Sequence, residues 1–215
     1  MNDTESKIAI VVCASEFNKE KFDEIRFQEK SASIIAVDAG YKHLIDNKVT
    51  PDLVLGDFDS LGFLPAGVRT TKFPKDKDQT DLELALKRLQ DENYEKAYVF
   101  GALGKRIDHT LSSIRACAFA NRSGFEVEMI GLEEKIVLLS GEDAWQSEPL
   151  EDQTTISIIP AIEPIEGLFL RGLKWEADNL RLDKFPTIGQ SNLSTNDPIL
   201  IGLKSGTIAI VINFS

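Results

Sequence analysis

Two aspartates one residue apart stand in Gly56-Asp57-Phe58-Asp59-Ser60, directly after the apolar run Leu53-Val54-Leu55. The run reads as a buried strand, and carboxylates at its end are costly unless something offsets their charge. Along an extended backbone Asp57 and Asp59 point to one side and Phe58 to the other. Same-side carboxylates repel, and a cation between them relieves that repulsion. A divalent ion suits the pair, because Mg²⁺ uses one or two carboxylates and takes its other oxygens from water and phosphate. The chemistry implied is the handling of a metal-bound phosphate compound. A short Asp-x-Asp also recurs by chance, and an acidic loop with a helix cap accounts for it without a ligand.

Three more polar segments follow strand-like runs. Asp38-Ala39-Gly40 is either a ligand-binding turn or the opening of a helix. Lys75-Asp76-Lys77-Asp78-Gln79-Thr80-Asp81 packs five charges into seven residues. Its carboxylates can hold a metal while its lysines meet phosphate oxygens as point charges. An Asp in a first helical turn also favours the helix dipole and needs no ligand. Gly101-Ala102-Leu103-Gly104-Lys105-Arg106-Ile107-Asp108-His109 is not a P-loop, which needs four residues between its glycines and a Ser or Thr after the Lys. Gly101 and Gly104 instead let backbone approach a nucleotide, with Arg106 available to phosphate. Asp108 stands at the mouth of the next helix, as a ligand or an N-cap. His109 is assigned no proton transfer, and His43 has no partner visible in the sequence.

The elements that must position these loops alternate. Strands are expected at 8–12, 34–37, 53–55, 97–100 and 125–130. One helix runs from Asp81 to Leu89, with Leu82, Leu86 and Leu89 on one face and a Thr80…Glu83 capping box. A second runs from about Thr110 to Asn121, with Leu111, Ile114 and Ala118 inward. This is the pattern of an α/β domain with a mostly parallel open sheet and flanking helices. Ligands bind beyond the carboxyl ends of such strands, so the four loops meet at one sheet edge. After Leu139 the pattern changes. The polar stretch 140–153 reads as a linker, and short strands follow at 155–159, 167–170, 200–203 and 207–214. The expected division is an α/β domain over 1–140 and a small all-β, sandwich-like domain over 141–215.

Composition sets the outer limits. The net charge of −11 argues against nucleic acid as a partner, since phosphate backbones attract basic surfaces. It favours a cationic second substrate. The longest apolar runs are too short to span a bilayer, and Met1–Lys7 lacks the basic and apolar parts of a signal peptide. A cytoplasmic protein is expected, with Cys13 and Cys117 as reduced core thiols.

Taken together and in order, these segments resemble the thiamine pyrophosphokinase family. Its pattern is Asp-Gly-Gly, Pro-Asp…Gly-Asp-Phe-Asp-Ser, Lys-Asp-x-Thr-Asp and Gly-x-x-Gly-Gly-Arg-x-Asp-His, followed by Gly-Leu-x-Trp and Ser-Asn. Here Pro51-Asp52 leads into the Asp57 motif, Lys77-Asp78-Gln79-Thr80-Asp81 matches, and Gly172-Leu173-Lys174-Trp175 and Ser191-Asn192 follow. Ala39, Lys105 and Ser113 depart from the pattern, standing where Gly, Gly and Asn are usual.

The resemblance implies pyrophosphoryl transfer from ATP to the hydroxyl of thiamine, with AMP released, Mg²⁺ required and a homodimer formed. It implies Asp57, Asp59 and Asp81 as metal and catalytic carboxylates. Asp38, Lys77, Thr80, Gly101, Gly104, Arg106 and Asp108 become nucleotide contacts. Ser191, Asn192 and Trp175 become thiamine contacts in a β domain that also dimerises. Two other readings stand beside it: a metal-dependent nucleotide-sugar transferase, and a non-catalytic thiamine or nucleotide sensor.

Overall fold

The computed structural model describes residues 6–74, 76–183 and 188–214, so Lys75 and the first five residues of the polar start lie outside it. The chain divides into two compact units, Met1–Ala120 with Gly124–Leu132, and Asn121–Ser123 with Glu133–Ser215.

The first unit is an α/β layer structure. Its strands are β1 (Ile8–Val12), β2 (Ser33–Val37), β3 (Leu53–Gly56), β4 (Thr70–Lys72), β5 (Lys96–Phe100) and β6 (Glu126–Ile130). They lie in the order β6-β5-β1-β2-β3-β4, and every pairing is parallel. A parallel strand covered on both faces must be apolar throughout, which is why Ile8-Ala9-Ile10-Val11-Val12 shows no alternation. The chain runs outward from β1 to β4, then returns to the far side of β1 as β5. Loops after β1 and β5 therefore leave in opposite directions and open a crevice at their carboxyl ends.

Four helices belong to this unit: α1 (Lys19–Gln28), α2 (Gly40–Asp46), α3 (Asp81–Asp91) and α4 (Ile107–Arg122), the last running on past the unit's edge at Ala120. Phe22, Ile25 and Leu44 pack with Ile10, Val12, Ala36, Val54 and Phe100 in one core cluster. Thr80 caps α3 by accepting a hydrogen bond from the Glu83 amide at 3.2 Å. Glu83 does not complete the box; its carboxylate accepts from Gln79 instead. Leu82, Leu86 and Leu89 are buried as their spacing predicts. On α4 the expectation fails at Leu111, which is 57% exposed, while Ala116, Cys117, Ala118 and Ala120 face inward. Ala118 is buried as expected, and the rest of the inner face of α4 is built of small side chains that apolar periodicity weighted by bulk does not find.

The second unit is a two-sheet antiparallel structure around one core. β12 (Asn192–Leu193), β9 (Thr155–Pro160), β14 (Thr207–Asn213) and β7 (Glu134–Ser140) form one sheet, in that order. β11 (Ala177–Leu182), β10 (Ile165–Arg171), β13 (Ile199–Leu203) and β8 (Asp143–Ser147) form the other. Alternate residues Ile208, Ile210 and Ile212 meet Ile156, Ile158, Leu168, Leu170, Ile199 and Ile201 in the shared core. The change of character in the sequence lies at Ser140, whereas the units divide after Leu132, because β7 pairs along its whole length with β14. The stretch 140–153, read as a linker, contains β8. All five of its residues pair with β13, so the polar stretch is in part an edge strand of the second sheet.

Among the described residues no helix is long and apolar enough to cross a membrane.

Candidate active site

The loops that leave the carboxyl ends of β1, β2 and β5, with the entry to α3, enclose a cavity of about 560 Å³ in the first unit. Cys13, Ala14 and Ser15 line it from β1, Val37 and Asp38 from β2, and Gly101 and Ala102 from β5. Lys77, Gln79, Thr80, Asp81 and Leu82 close it from the start of α3, and Asp108, His109, Ser112 and Ser113 from α4.

These loops are stitched together by the main chain. Cys13 N–H donates to Phe100 O at 2.8 Å and Ser15 N–H to Gly101 O at 2.7 Å, while Ser15 Oγ donates to Gly104 O at 3.1 Å. So close an approach requires glycine at 101, where a Cβ would lie 2.2 Å from Cys13 O. Gly40 is required likewise, since its Cβ would lie 1.9 Å from Val12 O. Its neighbour Ala39 sits at φ −66°, ψ −4°, ordinary right-handed backbone, so the loss of a glycine there costs nothing. His43, without a visible partner in the sequence, bonds through Nε2 to Ser15 O at 2.8 Å and stacks on Phe17 at 5.1 Å. It steadies the loop that follows β1.

Three carboxylates meet at the cavity. Asp38, Asp57 and Asp81 each offer one oxygen, and the three oxygens lie within 4.8 Å of one another. Asp38 takes a left-handed φ of +50° and accepts from Ser60 Oγ through Oδ2 at 2.5 Å. Its Oδ1 is buried with no hydrogen-bond partner. Asp81 Oδ1 lies 3.0 Å from Lys77 Nζ as an ion pair, yet lacks a hydrogen bond of good geometry. Burial raises the pKa of Asp81; Lys77 opposes the rise, and Asp38 and Asp57 add to it. A set of hard carboxylate oxygens that repel one another, one of them orphaned, fits a divalent cation such as Mg²⁺ or Ca²⁺.

Asp59 stands outside this trio. The reason is Phe58, whose φ of +65° breaks the extended geometry that would have aligned its neighbours. Phe58 is only 6% exposed and packs into the core with Ile10 and Leu44, so burial holds the unfavourable backbone in place. Asp57 Oδ1 instead accepts from the Asp59 amide at 2.9 Å, closing a tight turn. Asp59 itself is exposed.

Of the other nucleotide candidates, Lys77, Thr80, Gly101 and Asp108 line the cavity, while Gly104 and Arg106 lie in the adjoining loop outside the lining. Arg106 grips Asp108 with two bonds, of 3.1 and 2.5 Å, and so holds that carboxyl below its usual range. Asp108 lies within α4, one residue after its start, and is no N-cap. Ser15, Ser112 and Ser113 line the cavity without having been singled out as ligands. For Ser15 a signal existed: it follows a central strand, as the other loop residues do.

Trp175, Ser191 and Asn192 are in the second unit and are brought together there. Asn192 is 4% exposed, and its side chain holds the Trp175 main chain from both sides. Its Oδ1 accepts from Trp175 N–H at 3.0 Å and its Nδ2 donates to Trp175 O at 2.7 Å. The Trp175 indole, 55% exposed, carries Lys174 Nζ 4.7 Å from its ring centre. Ser191 is exposed at φ +59° and donates its amide to Ser157 Oγ at 2.9 Å.

Comparison with known proteins agrees with this geometry. The family model for the thiamin pyrophosphokinase catalytic domain matches residues 25–129, about half of the chain. The thiamine pyrophosphokinase of Bacillus subtilis (strain 168) is 29% identical over 164 residues, 74% of this chain and 76% of the relative. Thiamin pyrophosphokinase 1 of Caenorhabditis elegans is 26% identical over 186 residues, 81% of this chain and 76% of the relative. The crystal structure of the Bacillus subtilis enzyme superposes with a TM-score of 0.83 at 23% identity, over 97% of this chain and 100% of that one, which shows a common fold. The chain belongs to the thiamine pyrophosphokinase family.

Proposed function

We propose that this enzyme transfers a pyrophosphoryl group from ATP to the hydroxyl of thiamine, yielding thiamine diphosphate and AMP. The observation that carries the reading is the trio Asp38, Asp57 and Asp81 with its orphaned buried oxygen, set in a cavity at the carboxyl ends of a parallel sheet. Those three carboxylates would hold Mg²⁺, which supplies charge neutralisation for the phosphate chain when bound. Lys77, Thr80 and the Gly101–Gly104 backbone would orient the triphosphate, and Asp108 would keep Arg106 beside it. The thiamine hydroxyl oxygen bonds to the β-phosphorus, and the bond from that phosphorus to the α,β-bridging oxygen breaks. AMP leaves with that oxygen, and the hydroxyl proton passes to a carboxylate. That carboxylate is Asp59 or Asp81. Such transfer asks for positioning and charge more than covalent help, consistent with a site that uses no activated Cys or Ser-His pair.

Thiamine contact is assigned to the Trp175 indole and the Ser191 hydroxyl, with Asn192 fixing the turn that carries Trp175. A homodimer, implied by the resemblance, and a cytoplasmic location, in keeping with two reduced core thiols, complete the reading. Incubation with ATP, Mg²⁺ and thiamine should give AMP and thiamine diphosphate in equal amounts. ADP with thiamine monophosphate, or ATP left unconsumed, overturns the reading.

A further inference from the structure

Lys105 is a residue out of place. It sits at φ +54°, left-handed backbone that a residue with a Cβ adopts at a cost and glycine adopts freely. The family pattern it resembles has glycine at this point, and Gly104 beside it has φ +82°. The backbone has kept the geometry of a glycine turn while the chain carries a long cationic side chain there. Strain retained at a loop tip beside a cavity points to a side chain kept for what it touches.

The charges around the cavity say what that is. Three carboxylates line it, those of Asp38, Asp81 and Asp108, and Asp57 offers an oxygen within 4.8 Å of those of Asp38 and Asp81. Among the described residues of these loops, Lys77 is engaged with Asp81 and the Pro74 carbonyl, and Arg106 with both oxygens of Asp108. Lys105 is exposed and makes no hydrogen bond or ion pair with the described residues. A cation bound by the acidic trio offsets that trio, which leaves a polyphosphate ligand short of positive partners. An ammonium on a flexible stem meets phosphate oxygens as a point charge without needing the fixed geometry of a guanidinium.

We propose that Lys105 is a phosphate-binding residue of this nucleotide site, closing on the polyphosphate chain of the bound nucleoside triphosphate from the mouth of the cavity. The proposal rests on the ATP reading above and adds a contact peculiar to this chain. The test is binding of Mg²⁺-ATP to the full-length protein and to Lys105→Gly, Lys105→Gln and Lys105→Arg, with thermal melting of each variant without ligand. Lys105→Gly should hold or raise the melting temperature, because its backbone strain is relieved, while ATP affinity falls roughly tenfold. Lys105→Gln should lose affinity similarly without relief of strain, and Lys105→Arg should keep most of it. The gap between wild type and Lys105→Gly should narrow as salt is raised. A residue that merely braces the loop would lose melting temperature and affinity together, which overturns the proposal. Equal ATP affinity in wild type and Lys105→Gly overturns it while leaving the ATP reading intact. Wild-type protein that binds no ATP in the presence of Mg²⁺ removes both.

Discussion

The first unit holds two clusters of charge, at opposite ends of the same parallel sheet. At the amino ends of β5 and β6, Lys96 Nζ sits 2.6 Å from Glu126 and 2.7 Å from Glu128, with the Tyr98 ring 4.6 Å away. At the carboxyl ends, Asp38, Asp57 and Asp81 share a space in which, among the described residues, Lys77 is the cation paired to Asp81. Burial works against the Lys96 ammonium, but Glu128 and Glu126 outweigh it and hold its pKa above the ordinary lysine value. In the other cluster the charges oppose each other, Asp81 is pushed upward, and Asp38 Oδ1 has no partner. One cluster is satisfied by the chain itself. The other is incomplete, and a buried polar atom left without a partner is what a binding site looks like before its ligand arrives.

The largest effect that would break this contrast lies at the acidic trio. Asp57→Asn keeps the size and hydrogen-bonding shape of the side chain and removes one of three repelling charges. Turnover should fall roughly a thousandfold, as when a group that stabilises transition-state charge is lost. The ligand-free protein should melt no lower than wild type, and about 2–4 °C higher if relief is worth about 1 kcal/mol. Added Mg²⁺ should raise the melting temperature of wild type and do so less for the variant. Near-normal turnover, or a marked drop in melting temperature, would place Asp57 among structural carboxylates such as Glu128.

Lys96→Met is the mirror experiment. It removes the cation that lies between Glu126 and Glu128. Breaking a fully buried pair costs about 3–5 kcal/mol. Glu126 is 56% exposed, so solvent reduces the cost to about 1–3 kcal/mol. Turnover and KM values should stay within about twofold of wild type. Because the folded pKa of Lys96 is raised, its contribution is full below the unfolded value of about 10.4 and is lost only as pH rises through the higher folded value. The stability gap between wild type and Lys96→Met should therefore persist to about pH 10 in denaturant titrations and close above it. A gap already closed at pH 9, or a loss of turnover at constant stability, would contradict the division between the two ends of the sheet.

How much of this was legible in the residues differs between the clusters. The central strands were, because a strand buried on both faces must be apolar throughout, as in Ile34-Ile35-Ala36-Val37. So was the meeting of the loops, since carboxyl ends of parallel strands gather at one edge. The membership of the trio was not. The resemblance implies Asp38 for the nucleotide, and alternation across Phe58 puts Asp59 beside Asp57 at the metal. Its left-handed turn depends on the aromatic ring being buried in a core assembled from distant strands. The short β4 and polar β8 also escaped, since both owe their existence to a neighbouring edge rather than to their own residues. The Asn192–Trp175 clamp joins residues seventeen positions apart and becomes visible only after folding.

The smallest effect is also the most local probe of the acidic end. Cys13 lines the cavity, and its thiol is pushed up to about 12, first by burial and then by the charges of Asp81 and Asp38. It should therefore remain a thiol at pH 8 and react slowly with iodoacetamide, since the thiolate is the nucleophile. Cys117 is also buried, so the measurement belongs in a Cys117→Ala background. Asp81→Asn removes one of the two charges and should speed alkylation about two- to threefold, leaving the larger barrier of burial in place. Lys96→Met should leave the rate unchanged, because its cluster lies at the far end of the sheet and does not figure among the charges that act on Cys13. If Cys13 titrates near the ordinary value of about 8.5, the field of the trio does not reach it. The carboxyl end of the sheet would then be as well compensated as the Lys96 cluster.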